Sequence, residues 1–322
     1  MFAQLASVPL QAGTIVMATG IVAIGLSRIR LSAVGTPLLA IAAVVWLLLL
    51  LSLAARALLD SSRLLEQLHA PSALSLVAGT AVLGSGLGGL GWLVPAVILL
   101  LLAAALMALV ATLVLSRWQT PTRGVSFLLA VATASLGALA AELAGLEHAP
   151  WLLVPSGVGW VLAVLAYLFV VSRFDLREVV RGRGDHWVAG GALAIATLLG
   201  AEFCLGLRVA GHPYSGAPEL AATAIWAIGS VWTGVLLVTE LTHVRLFYDH
   251  LRWATVFPLG MYGAASLALG GVLGSEALLQ LGRVFIWIGL GAWLLVATGL
   301  LARLAGLRSS NPPDAPSREP TG

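Results

Sequence analysis

A short motif of small side chains recurs five times along this chain, at intervals of about 60 residues. Each copy places a glycine or an alanine beside a threonine or a serine, and a fixed period indicates a repeated structural unit. The five copies occupy residues 17–22, 77–82, 131–136, 194–199 and 262–267. Stretches rich in leucine and tryptophan, such as residues 38–59 and 92–115, separate the copies. The repeated unit is therefore a pair of helices. Five pairs predict an inner ring of small-residue helices around a pore, enclosed by an outer ring.

The amino-acid composition indicates that these helices lie in a lipid bilayer. Hydrophobic residues make up 60% of the chain and charged residues 10%, with a mean hydropathy of +1.01, which excludes a soluble domain of 322 residues. A helix needs ~20 predominantly apolar residues to cross a bilayer. The charge-free runs lie near residues 9–27, 33–55, 72–91, 92–116, 124–141, 150–172, 187–201, 219–239, 254–275 and 281–302. We therefore predict an all-α integral membrane protein with ten transmembrane helices.

The distribution of arginine predicts the orientation. All 17 basic residues are arginine, and only those at positions 28, 30, 208 and 283 lie on the side reached after odd-numbered helices. The positive-inside bias then places both termini in the cytoplasm of a multi-pass protein of the cell membrane. Residues 1–308 form one transmembrane transport domain, and residues 309–322, rich in Ser, Pro and charge, are expected to be a disordered cytoplasmic tail. No basic stripe or motif suggests nucleic acid.

Few residues of the sequence could form a metal site or a catalytic centre. Cys204 is the single cysteine, and the histidines fall in predicted loops or at helix ends. His243, Asp249 and His250 share one loop, but their spacing fits no standard set of metal ligands. An intramembrane enzyme needs a nucleophile with a base at membrane depth, and the hydroxyls there have no His, Asp or Lys partner in the sequence pattern. We expect no enzymatic activity, no cofactor and no metal.

Two carboxylates fall at the predicted outer ends of inner helices. Glu142 is seven residues after Ser135 and shares a helical face with the small-residue motif. Two interpretations are open: Glu142 lines the outer mouth together with Arg28, or it is an interfacial carboxylate solvated by headgroups and water. Glu202 lies off the face of Thr197, and we expect it to matter less.

A proline interrupts the apolar run at residues 253–262. Pro258 frees a carbonyl and bends a helix, which a membrane protein tolerates beside other helices or a water-filled cavity. Phe257 precedes it as one bulky ring among small side chains. Such a ring could block a narrow lumen by steric occlusion and dewetting, or it could face lipid or pack against an outer helix.

The segments 16–22, 77–80, 131–136 and 256–262 resemble the tellurite-resistance/dicarboxylate transporter family. That family includes plant slow-type anion channels, fungal malate permeases and sulfite efflux pumps. The resemblance spans about residues 5–305 and is most specific in the first and ninth helices. It implies ten helices as five hairpins in quasi-fivefold order, with the odd helices lining a central pore. It also implies a homotrimer with one pore per subunit and an occluding phenylalanine, which here is Phe257 beside Pro258.

The expected function is passage of small anions, by a channel or a permease. The predicted lining residues offer hydroxyl groups or close backbone approach, and they are Thr19, Gly20, Gly79, Thr80, Thr133, Ser135, Thr197, Gly263 and Ser266. No arginine is predicted deep within an inner helix, so selectivity would rest on weak hydroxyl sites, with arginines at the mouths favouring anions. The alternatives are a proton-coupled C4-dicarboxylate transporter of the malate type and a sulfite or tellurite efflux protein.

The tryptophan-bearing even helices are expected to form the outer ring. Their tryptophans are Trp46, Trp160, Trp226, Trp232, Trp287 and Trp293.

Overall fold

The computed structural model describes residues 10, 12–175, 177, 186–212, 216–242 and 252–306. These residues form eleven α-helices joined by short turns and 3₁₀ segments, and they contain no β-strand. In chain order the helices are α1 (Ala12–Arg28), α2 (Ser32–Leu59), α3 (Ser61–Leu68), α4 (Leu74–Gly89), α5 (Leu93–Ser116), α6 (Leu128–Leu146), α7 (Leu153–Val171), α8 (Trp187–Val209), α9 (Ala217–Thr242), α10 (Trp253–Leu273) and α11 (Glu276–Leu304).

Most of these helices match the predicted apolar runs. Among the described residues, nine helices are long and apolar enough to cross a membrane, and α1 is a shorter apolar helix of 17 residues. The all-helical membrane class is thus confirmed. The helix α8 continues to Val209, past the predicted end near residue 201. Charge does not end it, because Glu202 and Arg208 are both paired, with Arg28 and Glu219 respectively.

The short helix α3 was not among the sequence predictions, because a search for long apolar runs does not find an amphipathic segment of eight residues. Asp60 begins this helix, and its carboxylate accepts a hydrogen bond of 3.0 Å from the backbone N–H of Arg63. That N–H and the Ser62 hydroxyl hold the pKa of Asp60 below its usual value.

The five helices that carry the small-residue motif pack against one another in a closed order. The helix α1 contacts α4, α4 contacts α6, α6 contacts α8, α8 contacts α10, and α10 returns to α1. Each of them also packs against the long helix that follows it, which gives the pairs α1/α2, α4/α5, α6/α7, α8/α9 and α10/α11. We call α1, α4, α6, α8 and α10 the inner helices and their partners the outer helices.

Burial separates the two sets. Within the apolar windows of α4, α6, α8 and α10, 78% to 89% of the residues are buried, against 17% to 33% in the five outer helices. The outer helices therefore expose their leucines, and side chains such as Leu101 and Leu295 are more than half exposed. Exposed apolar surface of this extent fits lipid rather than water as the surrounding solvent.

Small residues allow the helices to approach closely. At Gly263 of α10, an added Cβ would lie 2.5 Å from Cδ1 of Ile286 in α11. At Gly13 of α1, it would lie 2.5 Å from the hydroxyl oxygen of Ser75 in the first turn of α4. The repeated motif is thus a packing device as well as a candidate lining, as in membrane helix interfaces in general.

Candidate functional site

A narrow cavity lies inside the ring of inner helices and receives side chains from all five of them. Its walls are Ile21, Ile24 and Arg28 of α1, Val82 and Ser85 of α4, Ser135, Ala138 and Glu142 of α6, Ile195, Leu198 and Glu202 of α8, and Met261 of α10. We call it the axial cavity. Its volume is about 20 Å³, which is room for about one water molecule. The ring is therefore nearly closed along its axis at this level.

One stripe of each inner helix lines the axial cavity. In α1 the stripe is Ile21, Ile24 and Arg28, which are three and four residues apart and so share a face. With 3.6 residues per turn, a residue two positions away points roughly 200° around the helix. Thr19, two residues before Ile21, therefore points away from the axis and toward the outer helices.

Three of the motif hydroxyls are bound by tryptophans of outer helices. The Nε1 groups of Trp46, Trp226 and Trp293 donate to the hydroxyls of Thr80, Ser266 and Thr19, at 2.9, 3.0 and 2.9 Å. We call these the three indole–hydroxyl bonds. In each one the tryptophan belongs to the outer helix of one hairpin and the hydroxyl to the inner helix of the next. They join α2 to α4, α9 to α10 and α11 to α1, so they connect neighbouring hairpins around the ring.

The other predicted hydroxyls divide into two groups. Thr133 and Thr197 donate to the carbonyls one turn earlier, those of Leu129 and Leu193, at 2.8 and 2.9 Å. Ser135 lines the axial cavity, and its hydroxyl is buried without a hydrogen-bond partner among the described residues. Ser135 is the one predicted lining residue found in the wall of the axial cavity.

The predicted lining glycines lie at helix contacts. An added Cβ at Gly20 would lie 2.8 Å from Val82, and one at Gly79 would lie 3.2 Å from the carbonyl oxygen of Gly13. Gly263 faces Ile286 of an outer helix. Their place in a conducting wall stays a prediction.

Phe257 is buried at the contact between α8 and α10, with 2% of its surface exposed. An added Cβ at Gly191 would lie 2.9 Å from the Phe257 ring and 3.1 Å from Pro258. Gly191 and Phe257 stand four residues before Ile195 and Met261, which both line the axial cavity. Phe257 therefore lies about one turn beyond the cavity on the same stripe. Its role as a gate stays a prediction.

Arg28 connects the axial cavity to two carboxylates. Its guanidinium donates to the carboxylate of Glu202 at 2.5 Å, and Glu202 keeps only 9% of its side chain exposed. Glu142 faces the same pair, and the Ser85 hydroxyl is beside it. We call Arg28, Glu142, Glu202 and Ser85 the charged cluster. Glu202 belongs to the site, contrary to expectation: the axial stripe of α8 carries it, whereas Thr197 faces elsewhere.

A wider vestibule opens beside the charged cluster. It has a volume of about 380 Å³ and is lined by Arg28, Arg30 and Arg283 together with Glu202 and apolar side chains. Its three guanidinium groups make this space attractive to anions, although Glu202 pairs with Arg28 and Glu276 lies 3.7 Å from Arg283. The predicted outer-mouth residues Arg28 and Glu142 also line a second opening of about 260 Å³ toward α2.

Comparison with known proteins defines the class. A family model described as voltage-dependent anion channel (SLAC1) matches residues 7–301. Over 134 residues, the chain is 31% identical to the uncharacterized membrane protein Rv1735c of Mycobacterium tuberculosis strain H37Rv and to the uncharacterized membrane protein MT1776 of strain CDC 1551. Each match covers 37% of this chain and 64% of the relative, so the chain spans less than two thirds of these relatives' length.

These findings make the chain a multi-pass membrane protein. It belongs to the voltage-dependent anion channel family (SLAC1). The resemblance inferred from the sequence segments is thereby confirmed. The predicted tail at residues 309–322 and the loop with His243, Asp249 and His250 lie outside the described residues.

Proposed function

We propose that this protein conducts small anions across the cell membrane along the axis of its inner ring. The observation that carries the proposal is the axial cavity, to which all five inner helices contribute. In this proposal ten helices span the bilayer as five hairpins in quasi-fivefold order, with a pore in each subunit of a homotrimer. The termini lie in the cytoplasm, in accord with the arginine distribution.

The basic vestibule supports anions as the substrate. Arg28, Arg30 and Arg283 raise the local concentration of anions beside the axial cavity without binding them tightly. Weak sites favour flux, because an ion that binds tightly leaves slowly. An inside-negative potential adds ~2.3 kcal/mol per charge per 100 mV. A passive pathway in the proposed orientation would therefore export monovalent anions.

The pore wall that we propose differs from the motif face. It follows the axial stripes, which carry Ile21, Val82, Ser135, Ile195 and Met261, while the threonines of the motif bind the outer helices. A mostly apolar wall, whose hydroxyl groups are those of Ser85 and Ser135, resists ions until it widens or hydrates. The main barrier in this proposal is the ring of Phe257, one turn beyond the cavity and opposite Gly191.

A proton-coupled carrier of C4-dicarboxylates is the second candidate. Glu142 and Glu202 favour it, because carboxylates at the axis of a membrane protein are common parts of proton relays. A carrier would show flux that saturates with substrate and collapses when the pH gradient is removed. A channel would conduct a monovalent anion down its own gradient with no pH gradient present.

Reconstitution tests the proposal. Liposomes that contain the purified protein should release chloride, nitrate or sulfite faster than empty liposomes at equal pH on both sides. The same measurement with malate distinguishes a channel from a dicarboxylate carrier. A protein that passes none of the monovalent anions, but accumulates malate on a proton gradient, would replace the channel by the carrier. Tellurite and sulfite sensitivity of cells expressing the protein tests the efflux alternative.

A further inference from the structure

The charged cluster has a net charge that anions must overcome. Arg28 contributes +1, while Glu202 and Glu142 each contribute −1 when ionised, so the sum is −1. With a proton on Glu142 the sum is zero. The cluster stands between the basic vestibule and the axial cavity, because Arg28 and Glu202 line both of these spaces. An anion that leaves the vestibule for the axis therefore passes the Arg28–Glu202 pair and enters a cavity whose wall also carries Glu142.

An unused hydrogen-bond donor lies beyond the cluster. The Ser135 hydroxyl is buried, lines the axial cavity and has no partner among the described residues. Ser135 precedes Glu142 by seven residues, which is about 10 Å along α6. A buried hydroxyl without a partner costs free energy unless a ligand or water binds it. Its position at the axis makes it a contact for the ion in transit.

We propose that the Ser135 hydroxyl is a binding contact for a small monovalent anion, and that Glu142 controls access to it by protonation. This inference rests on the proposed function. The anion passes the charged cluster when Glu142 is neutral and is repelled when Glu142 is ionised. Glu202 is held as the partner of Arg28, so Glu142 is the carboxylate left to take up the proton.

The surroundings of Glu142 hold few other groups that could produce the same pH dependence. The helix α1 presents Arg28, α8 presents Glu202, and α4 presents the uncharged Ser85. Within the described residues, α10 presents Met261 to the cavity, and α5 has no ionisable side chain. The ionisable side chain of α7 is Tyr167, which packs on Phe127 at the far end of α6. Arg30 and Arg283 lie in the vestibule. Glu147 and His148 follow α6 and are exposed.

The test is chloride and nitrate efflux from liposomes with the same pH on both sides, from mildly alkaline to mildly acidic. Wild-type flux should rise about tenfold on acidification, the effect of removing one nearby charge. Glu142→Gln should give the acidic flux at every pH, whereas Glu142→Asp should keep the dependence. Ser135→Ala should lower flux at every pH, and Ser135→Thr should restore it. Glu147→Gln, an exposed control on the same helix end, should match the wild type.

Each outcome decides one part of the argument. A wild-type profile that is flat or falls on acidification overturns the role of Glu142, even where Glu142→Gln does not fold. A Glu142→Gln protein that transports with the wild-type pH profile overturns it as well. Unchanged flux in Ser135→Ala removes the binding contact. A wild-type protein that passes no monovalent anion at any pH overturns the proposed function, and this inference with it.

Discussion

Replacing Thr80 by valine tests whether the indole–hydroxyl bonds hold the hairpins together. Valine keeps the shape of threonine but removes the acceptor of the 2.9 Å bond from Trp46. The Nε1 group of the half-buried Trp46 then has no partner, and a fully buried donor in that state would cost about 1–3 kcal/mol. Hydrogen bonds between membrane helices are worth less on average, about 0.6 kcal/mol. We therefore expect a loss of about 1 kcal/mol in the free energy of unfolding.

The chain offers a matched control for this substitution. The hydroxyls of Thr80 and Thr133 both donate to the carbonyl one turn earlier, at 2.7 and 2.8 Å. In the described part of the chain, Thr133 has no indole–hydroxyl bond. Thr133→Val should therefore cost clearly less than Thr80→Val. The double variant Trp46→Phe with Thr80→Val should be less destabilised than the sum of the single variants, because the unpaired donor is gone.

Unfolding in detergent or bicelles, followed by tryptophan fluorescence against denaturant, measures these differences. Equal losses for Thr80→Val and Thr133→Val would refute the reasoning, and so would strictly additive effects of Trp46→Phe and Thr80→Val. Either result would mean that the indole contributes by its packed area and that the hydroxyl is not a specific partner.

Two further substitutions test the vestibule and the packing. Arg28→Gln leaves Glu202 without its cation and should slow anion efflux severalfold. The loss in the free energy of unfolding should be at most about 3 kcal/mol, because fully buried pairs cost about 3–5 kcal/mol to break and Arg28 is 27% exposed. Efflux at the wild-type rate would contradict the vestibule's role. Gly263→Ala forces a methyl group against Ile286 and should destabilise the protein by about 1–3 kcal/mol. Gly291→Ala, with no neighbour within 4 Å, should leave the stability unchanged. Equal unfolding curves for the two variants would show that Ile286 moves aside without cost.

The all-helical membrane class could be predicted from the sequence, because long apolar runs recur along the chain. The small-residue motif recurs on one member of each helix pair, and small side chains let helices approach closely where leucine does not. Burial of the motif helices and exposure of leucines such as Leu101 follow from this rule. The helix α3 was not predicted, because an amphipathic segment of eight residues contains no long apolar run.

The face of each inner helix could not be predicted, because threonine suits two environments. A threonine hydroxyl can meet a passing ion or accept an indole N–H, and only the neighbouring helix decides between them. Because Thr197 marks the lining face of α8 in the sequence-based prediction, Glu202 is expected there to matter less. Glu202 lies seven residues after Ile195, and both line the axial cavity. Ser135 and Glu142, seven residues apart, both line the axial cavity, as their shared helical face indicates, while the place of Glu142 at the outer mouth stays a prediction. The spacing of Ile195, Leu198 and Glu202 is the signal that could have located Glu202.

The central claim is that anions pass along the ring axis and that Phe257 is the main barrier, and anion conductance of Phe257→Ala tests it most directly. Phe285→Ala on the outer helix α11 is the control, because it removes an equal ring away from the axial cavity. The account predicts a strong rise in chloride or nitrate conductance for Phe257→Ala in a folded protein, and wild-type conductance for Phe285→Ala. Wild-type conductance in a well-folded Phe257→Ala protein would contradict the claim.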